Sequence, residues 1–196
     1  MLNYHKRFPK VRLELSLDAT TALEDSLRHG QLDTACLIGE PMPQSEWQIW
    51  SSIEVPIVLV ANSLHPLAAQ KCISLSTIAQ QELILMEESA PYSRQFEAAL
   101  NTRSLSCTPF LRLQSADAAL RLVERGPFVS LLPLYSVQAA ISEGRLCRLD
   151  VPEWEGSQYV QMVLHRGKVM TPQIAGFLEE LSLILSGVLA EKLHRI

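Results

Sequence analysis

Apolar and polar positions alternate strictly near the start of the chain. Val11, Leu13, Leu15 and Leu17 are separated by Arg12, Glu14 and Ser16. A period of two predicts a strand over 11–17 with one face buried. Thr21 and Glu24 then stand at capping-box spacing, and Leu23 and Leu27 share a helical face, so a helix is expected to start at Thr21 and stop at Gly30. A short apolar strand is predicted over 34–39. The same rhythm continues: strands over 57–61, 83–86, 110–113, 128–132 and 159–164, and helices over 74–81, 90–102, 115–125, 134–142 and 171–189. The run 57–61 is apolar throughout, as suits a strand covered on both faces. Strand–helix alternation of this kind implies α/β architecture, with mainly parallel sheet and helices on both faces. Two stretches interrupt it, 41–56 and 149–157. Both carry Pro, Trp and acidic residues, and each reads equally as a connector between lobes or as a long loop.

The bulk numbers narrow the function classes. In 196 residues, 47% are hydrophobic and 19% charged, which excludes intrinsic disorder. The net charge of −4 argues against this chain binding nucleic acid by itself, because such affinity rests on cations meeting phosphates. The apolar stretch 174–189 is broken by Glu179, Glu180, Ser182 and Ser186, so no membrane span is expected. The start MLNYHKRFPK lacks the apolar core of a secretory signal. Cys36, Cys72, Cys107 and Cys147 are far apart and are read as reduced thiols in a cytoplasmic protein. The histidines are equally scattered, so no metal site and no cofactor are expected. No G-x-S-x-G elbow, phosphate-binding loop or dinucleotide fingerprint occurs, and nothing pairs Asp33, Glu87 or Glu88 as acid and base.

The run FPKVRLELSLDATTALEDSLRHGQLDTACLIG resembles the early part of the effector-binding domain of LysR-type transcriptional regulators. VPIVLVANSLHPLA, ISLSTIAQQELILMEES, LRLQSADAALRLVERG, FVSLLPLYS and GRLCRL follow in the family's order. The resemblance covers about residues 8–185. It implies two Rossmann-like lobes, as in type 2 periplasmic binding proteins: lobe I over 1–53 and 153–196, lobe II over 57–149, with crossover hinges at 53–57 and 149–155. A small-molecule effector between the lobes and a homodimer formed through lobe I are implied as well. DNA contact is expected only through a winged helix-turn-helix that this sequence does not contain. The family's first effector-domain strand is also not found, and the usual G-x-G before the LLP strand reads Gly126-Pro127-Phe128.

In open α/β sheets ligands gather at the carboxyl ends of strands, where helix N-termini offer unpaired N–H groups and partial positive charge. Three such turns carry hydroxyls: Thr20 and Thr21, then Ser89 and Ser93 around Pro91, then Ser115. Each hydroxyl reads equally as a plain helix cap. Arg94, near a helix start, either forks onto a ligand carboxylate or pairs with Glu87, Glu88 or Glu97. Tyr92 lines the cleft or packs over its loop, and Ser52 reaches the cleft or is loop polarity. His65 reads as part of a surface turn, and Trp47, Trp50 and Trp154 as connector packing. The expectation is a sensor that binds a small anionic metabolite and catalyses nothing. The alternatives are a free-standing solute-binding protein and a small α/β enzyme.

Overall fold

A computed structural model describes residues 2–88 and 90–193. Its elements run α1 (Leu2–Arg7), α2 (Thr20–Arg28), β1 (Ala35–Gly39), β2 (Trp47–Asn62), α3 (Leu75–Ala79), β3 (Leu83–Met86) and α4 (Pro91–Asn101). They continue β4 (Leu111–Leu113), α5 (Ala116–Arg125), β5 (Val129–Pro133), α6 (Leu134–Ser142), β6 (Leu146–Arg148), β7 (Gly156–His165) and α7 (Pro172–Leu193). The chain divides into two compact units. One holds the chain up to Glu54 and resumes at Tyr159; the other is Val55–Gln158.

In the first unit β1 pairs antiparallel with β7, Ala35 opposite Val163 and Gly39 opposite Tyr159. One face of this sheet buries Leu27 of α2 with Ala35, Leu37, Trp47 and Val163. The opposite face buries Met162 and Leu164 against Leu178 of α7, with Trp50, Ile174, Leu181 and Leu185 closing the edge. Both Trp47 and Trp50 belong to strand β2, whose first part, 47–56, lies in the stretch that reads as a connector or a long loop; its continuation over 57–61 is the strand expected there. Pro56 and the polar Ser51, Ser52 and Glu54 hide the strand's periodicity, while its neighbours in the sheet enforce it. Arg28 ties α2 to β2: its Nε donates to Glu46 at 2.5 Å, its NH1 to Asp25 at 2.8 Å, and its guanidinium lies 5.2 Å from the Trp47 ring centre. The hydrogen bond to Glu46 holds the guanidinium above its ordinary pKa and the Glu46 carboxyl below its own. The unforeseen helix α1 docks on α7. Tyr4 is buried, stands edge-on to Phe177 at 5.7 Å and donates its hydroxyl to the Gln173 carbonyl at 3.1 Å.

The expected strand over 11–17 does not form. Residues 11–19 adopt no regular structure, and Leu15 and Leu17 are 78% and 98% exposed. Alternation says which face a strand would bury, but a strand also needs a hydrogen-bonded neighbour, and among the described residues this segment has none. The capping box fails too. Helix α2 begins at Thr20 with Ala19 as its N-cap and no side-chain cap, so Thr21 is already inside the first turn. The helix does stop before Gly30, whose φ of +69° suits a residue without Cβ.

The second unit is built on two sheet directions. β2 pairs antiparallel with β5, Ile57 opposite Pro133, and on its other edge with β6, Val60 opposite Arg148. β3 pairs parallel with both β4 and β5. Parallel pairing is thus concentrated in β4–β3–β5, and the expected α/β class holds. All four residues of β3 and all five of β5 are buried, as continuous apolar runs require. The core around them includes Leu59, Leu75, Ile78, Phe96, Leu131 and Val137. Gly126 is extended, and its missing Cβ leaves room for the Phe128 ring, whose Cε2 would otherwise lie 2.5 Å away.

His65 is buried rather than exposed in a surface turn. Its Nδ1 accepts from the Leu67 backbone N–H at 3.2 Å. Desolvation holds its pKa below the ordinary 6.5, against a smaller opposing contribution from the Pro127 backbone. The unfolded chain therefore binds this proton more readily than the folded one, so its contribution to stability is lost as pH falls below about 6.5. The melting temperature of His65→Gln should fall less between pH 7 and pH 5 than that of the native chain. Parallel melting curves for the two proteins would contradict this.

Candidate functional site

Because β3, β4 and β5 run parallel side by side, the helices that follow them begin at one end of the sheet. These are α4 after β3, α5 after β4 and α6 after β5. Two of the three helix starts have no side-chain cap. α4 is preceded by Ala90 and opens on Pro91, and α6 is preceded by Pro133. The first-turn N–H groups at such ends are left for water or for an anion. α5 is capped by Ser115, whose hydroxyl accepts from the Ala118 N–H at 3.3 Å. Plain capping is thus part of what Ser115 does, and its side chain remains exposed.

Among the other sequence candidates of this unit, Tyr92 is buried in the first turn of α4. Burial pushes its phenol well above its ordinary pKa, and the neighbouring Tyr135 adds to the shift, so Tyr92 stays a neutral hydroxyl. Ser93 is fully buried. Its hydroxyl donates to the Met86 carbonyl at 3.2 Å, which fastens α4 to the end of β3 and leaves no surface for a ligand. Arg94 is exposed one residue further on. Of the carboxylates weighed as its partners, Glu97 is engaged by Arg112 and Glu87 accepts from Gln114. Ser89 lies outside the described residues.

The structure adds two residues at this end. Tyr135, at the start of α6, is half-buried and close enough to Tyr92 to raise its pKa. Arg112, in the middle of β4, donates to the Met86 carbonyl at 3.2 Å and to Glu97 at 2.5 Å. It is a half-buried cation at the carboxyl end of β3. The signal for it was a lone Arg between Leu111 and Leu113 in a strand, a cation that burial obliges to find partners. Tyr135 carried no signal beyond following Pro133 by two.

The first unit carries the remaining candidates. Thr20 and Thr21 are exposed at the uncapped start of α2, and Ser52 is exposed on β2. Among the described residues no group of three or more His, Cys, Asp or Glu is placed to hold a metal ion, and all four cysteines are free. No helix among them is long and apolar enough to cross a membrane.

Helix N-termini gathered at the carboxyl ends of parallel strands mark the place where open α/β sheets bind small molecules, and here their caps or first turns carry hydroxyls. The family model for the LysR substrate binding domain matches residues 1–183, and the chain belongs to that family. Its curated relatives include a RuBisCO operon transcriptional regulator of Allochromatium vinosum, 24% identical over 91% of this chain and 59% of its own length. Another is the transcriptional activator CmpR of Synechocystis sp., 24% identical over 91% and 58%. The chain thus spans about three fifths of the length of these relatives. Among solved structures, the regulatory domain of CcmR from Synechocystis PCC6803, in complex with 2-PG, matches with a TM-score of 0.74. It is 17% identical and covers 93% of this chain and 87% of that one. The effector-binding domain of QuiR in complex with shikimate matches with a TM-score of 0.70 at 15% identity, over 95% and 88%. The chain is an effector-binding domain of the LysR type, and the family is one of transcriptional regulators, not enzymes.

Proposed function

We propose that this domain senses a small anionic metabolite and passes its binding state to a DNA-binding module of the same regulator. The observation that carries the reading is the convergence of α4, α5 and α6 on one end of β4–β3–β5, two of them without a side-chain cap. Open N–H groups and aligned helix dipoles favour a carboxylate or phosphate there. Ser115, Tyr92, Tyr135 and Arg94 would supply directional hydrogen bonds around it. Thr20, Thr21 and Ser52 would complete the contacts from lobe I, with 53–57 and 149–155 acting as hinges, as the family resemblance implies. That relatives were solved with 2-PG and with shikimate supports a small polyoxygenated anion as the ligand class. Effector binding would bias the geometry of a homodimer assembled through lobe I, in the cytoplasm.

Thermal melting against a panel of small carboxylates and phosphate esters, 2-PG and shikimate included, tests this. A true effector at tenfold its Kd stabilises by about 1.4 kcal/mol. For a chain of this length that raises the midpoint by roughly 3–6 °C. In Thr21→Ala combined with Ser115→Ala the ligand-induced rise should shrink, whatever the new baseline. A panel without any shift, or a rise unchanged in the double variant, would sink the proposal.

A further inference from the structure

Within the second unit, the connector that follows β6 lies against one flank of α4, and a cavity of about 510 Å³ opens there. Gln95, Ala99 and Arg103 recur every four residues, so they form one stripe along the helix and just past its end. Pro152, Glu153, Trp154 and Glu155 form the connector's side of the cavity.

These walls are held in place by their own contacts. Arg103 donates from Nε to Glu153 at 3.1 Å and from NH1 to the Ala99 carbonyl at 3.0 Å. The other oxygen of Glu153 accepts from the Leu75 N–H at 3.1 Å. The Trp154 indole donates to the Ile57 carbonyl at 3.0 Å and stands edge-on to Phe96. The cavity is therefore formed before anything enters it, and its size is that of a small-molecule site.

The charges select among small molecules. Arg103 and Glu153 neutralise each other. Glu155 is exposed, and among the described residues no hydrogen bond or ion pair engages its carboxylate. The lining thus carries two carboxylates against one guanidinium, and the carboxylate in excess is Glu155. Trp154, Pro152 and Ala99 offer apolar surface beside it. An anion would meet net negative charge here, whereas an organic cation would find both a counter-charge and a wall for its hydrocarbon part.

We propose that this cavity is a second ligand site, binding a monoamine with a compact apolar body. Its ammonium pairs with Glu155, and its body lies against Trp154, Pro152 and Ala99. The site is distinct from the helix starts that would take the effector, because its first residue on α4, Gln95, already lies one turn beyond Pro91. The proposal does not depend on the effector reading, and the two ligands differ in the sign of their charge.

Two-dimensional NMR of the isotope-labelled whole chain reads the site residue by residue. Benzylamine, cyclohexylamine and isoamylamine, each added to about 20 mM, are the probes. At least one should shift the Ala99, Arg103 and Glu155 amides and the Trp154 indole N–H together, with a Kd of about 0.5–5 mM, while the Trp47 and Trp50 indoles stay still. The uncharged alcohol of the same shape should bind about fivefold more weakly. Glu155→Gln should weaken the amine by a similar factor, the upper range for an exposed ion pair. This variant should melt at the native temperature, because the carboxylate supports no contact. Three amines that leave these resonances unmoved overturn the proposal, and so do shifts confined to other parts of the chain. An alcohol that binds as tightly as its amine, or an affinity unchanged in Glu155→Gln, overturns it as well. The effector reading is judged by melting shifts with anions, so either can fail without the other.

Discussion

Replacing Trp47 by alanine should lower the stability of the first unit by about 3–5 kcal/mol, the range for truncating a fully buried aromatic. The ring is 1% exposed and sits among Leu27, Ala35, Leu37 and Val163, with Leu23, Leu32, Met42 and Ile49 around them. This cluster is small, so few neighbours can move in to fill the cavity. The substitution also takes away the aromatic face under Arg28 and the edge-on contact with His165 at 6.1 Å. Whole domains are stable by only about 5–15 kcal/mol, so a loss of this size endangers the unit. At roughly 2–4 °C per kcal/mol for this length, calorimetry should show a transition lowered by about 6–20 °C. Because the chain has two units, the shift should fall on one component and spare the other. A loss under about 1 kcal/mol would mean that Trp47 is not the centre of that core.

Adding a single methyl at Gly156 should cost about 3 kcal/mol, the upper end of what overpacking does. A Cβ there would lie 2.1 Å from Trp154 Cζ2 and 2.7 Å from Cη2. The ring cannot easily yield. Its Nε1 donates to the Ile57 carbonyl at 3.0 Å, and it stands edge-on to Phe96 at 5.3 Å. The connector around it is also fastened. Asp150 accepts from the Cys72 and Ile73 N–H groups, and Glu153 accepts from Leu75 N–H and Arg103. Gly156→Ala must therefore expel the indole, exposing Trp154 and unseating Phe96. Gly187→Ala is the control, since nothing lies within 4 Å of a Cβ there and alanine favours a helix. Trp154→Ala placed in the Gly156→Ala background should cost far less than it does alone, because the clash has already removed the ring. Additive costs in urea unfolding would refute the account.

Much of the second unit was legible because its signals are local. The apolar runs at 83–86 and 128–132 are long enough and bare enough of polar residues that only a doubly covered strand accommodates them, and β3 and β5 formed there. Gly30 and Gly144 stop helices because both take positive φ, which a residue with Cβ resists. The site was less legible. Ser93 and Ser115 looked alike in sequence, yet one is sealed against Met86 and the other stays exposed while capping α5. Their difference is one of depth, and depth belongs to packing rather than to residue type. Arg112 went unread because its partners, Glu97 and the Met86 carbonyl, are distant in sequence.

Residue order alone determined the α/β class, the hydroxyl-bearing helix starts and most of the strand–helix alternation from residue 20 to residue 142, since periodicity, caps and turn residues act over a few neighbouring positions. Pairing and depth were decided only in three dimensions. They drew Trp47 and Trp50 into a strand and buried His65, and they left 11–17 without regular structure. A strand's hydrogen bonds are made to another segment, so no pattern within one segment can say whether that partner is present.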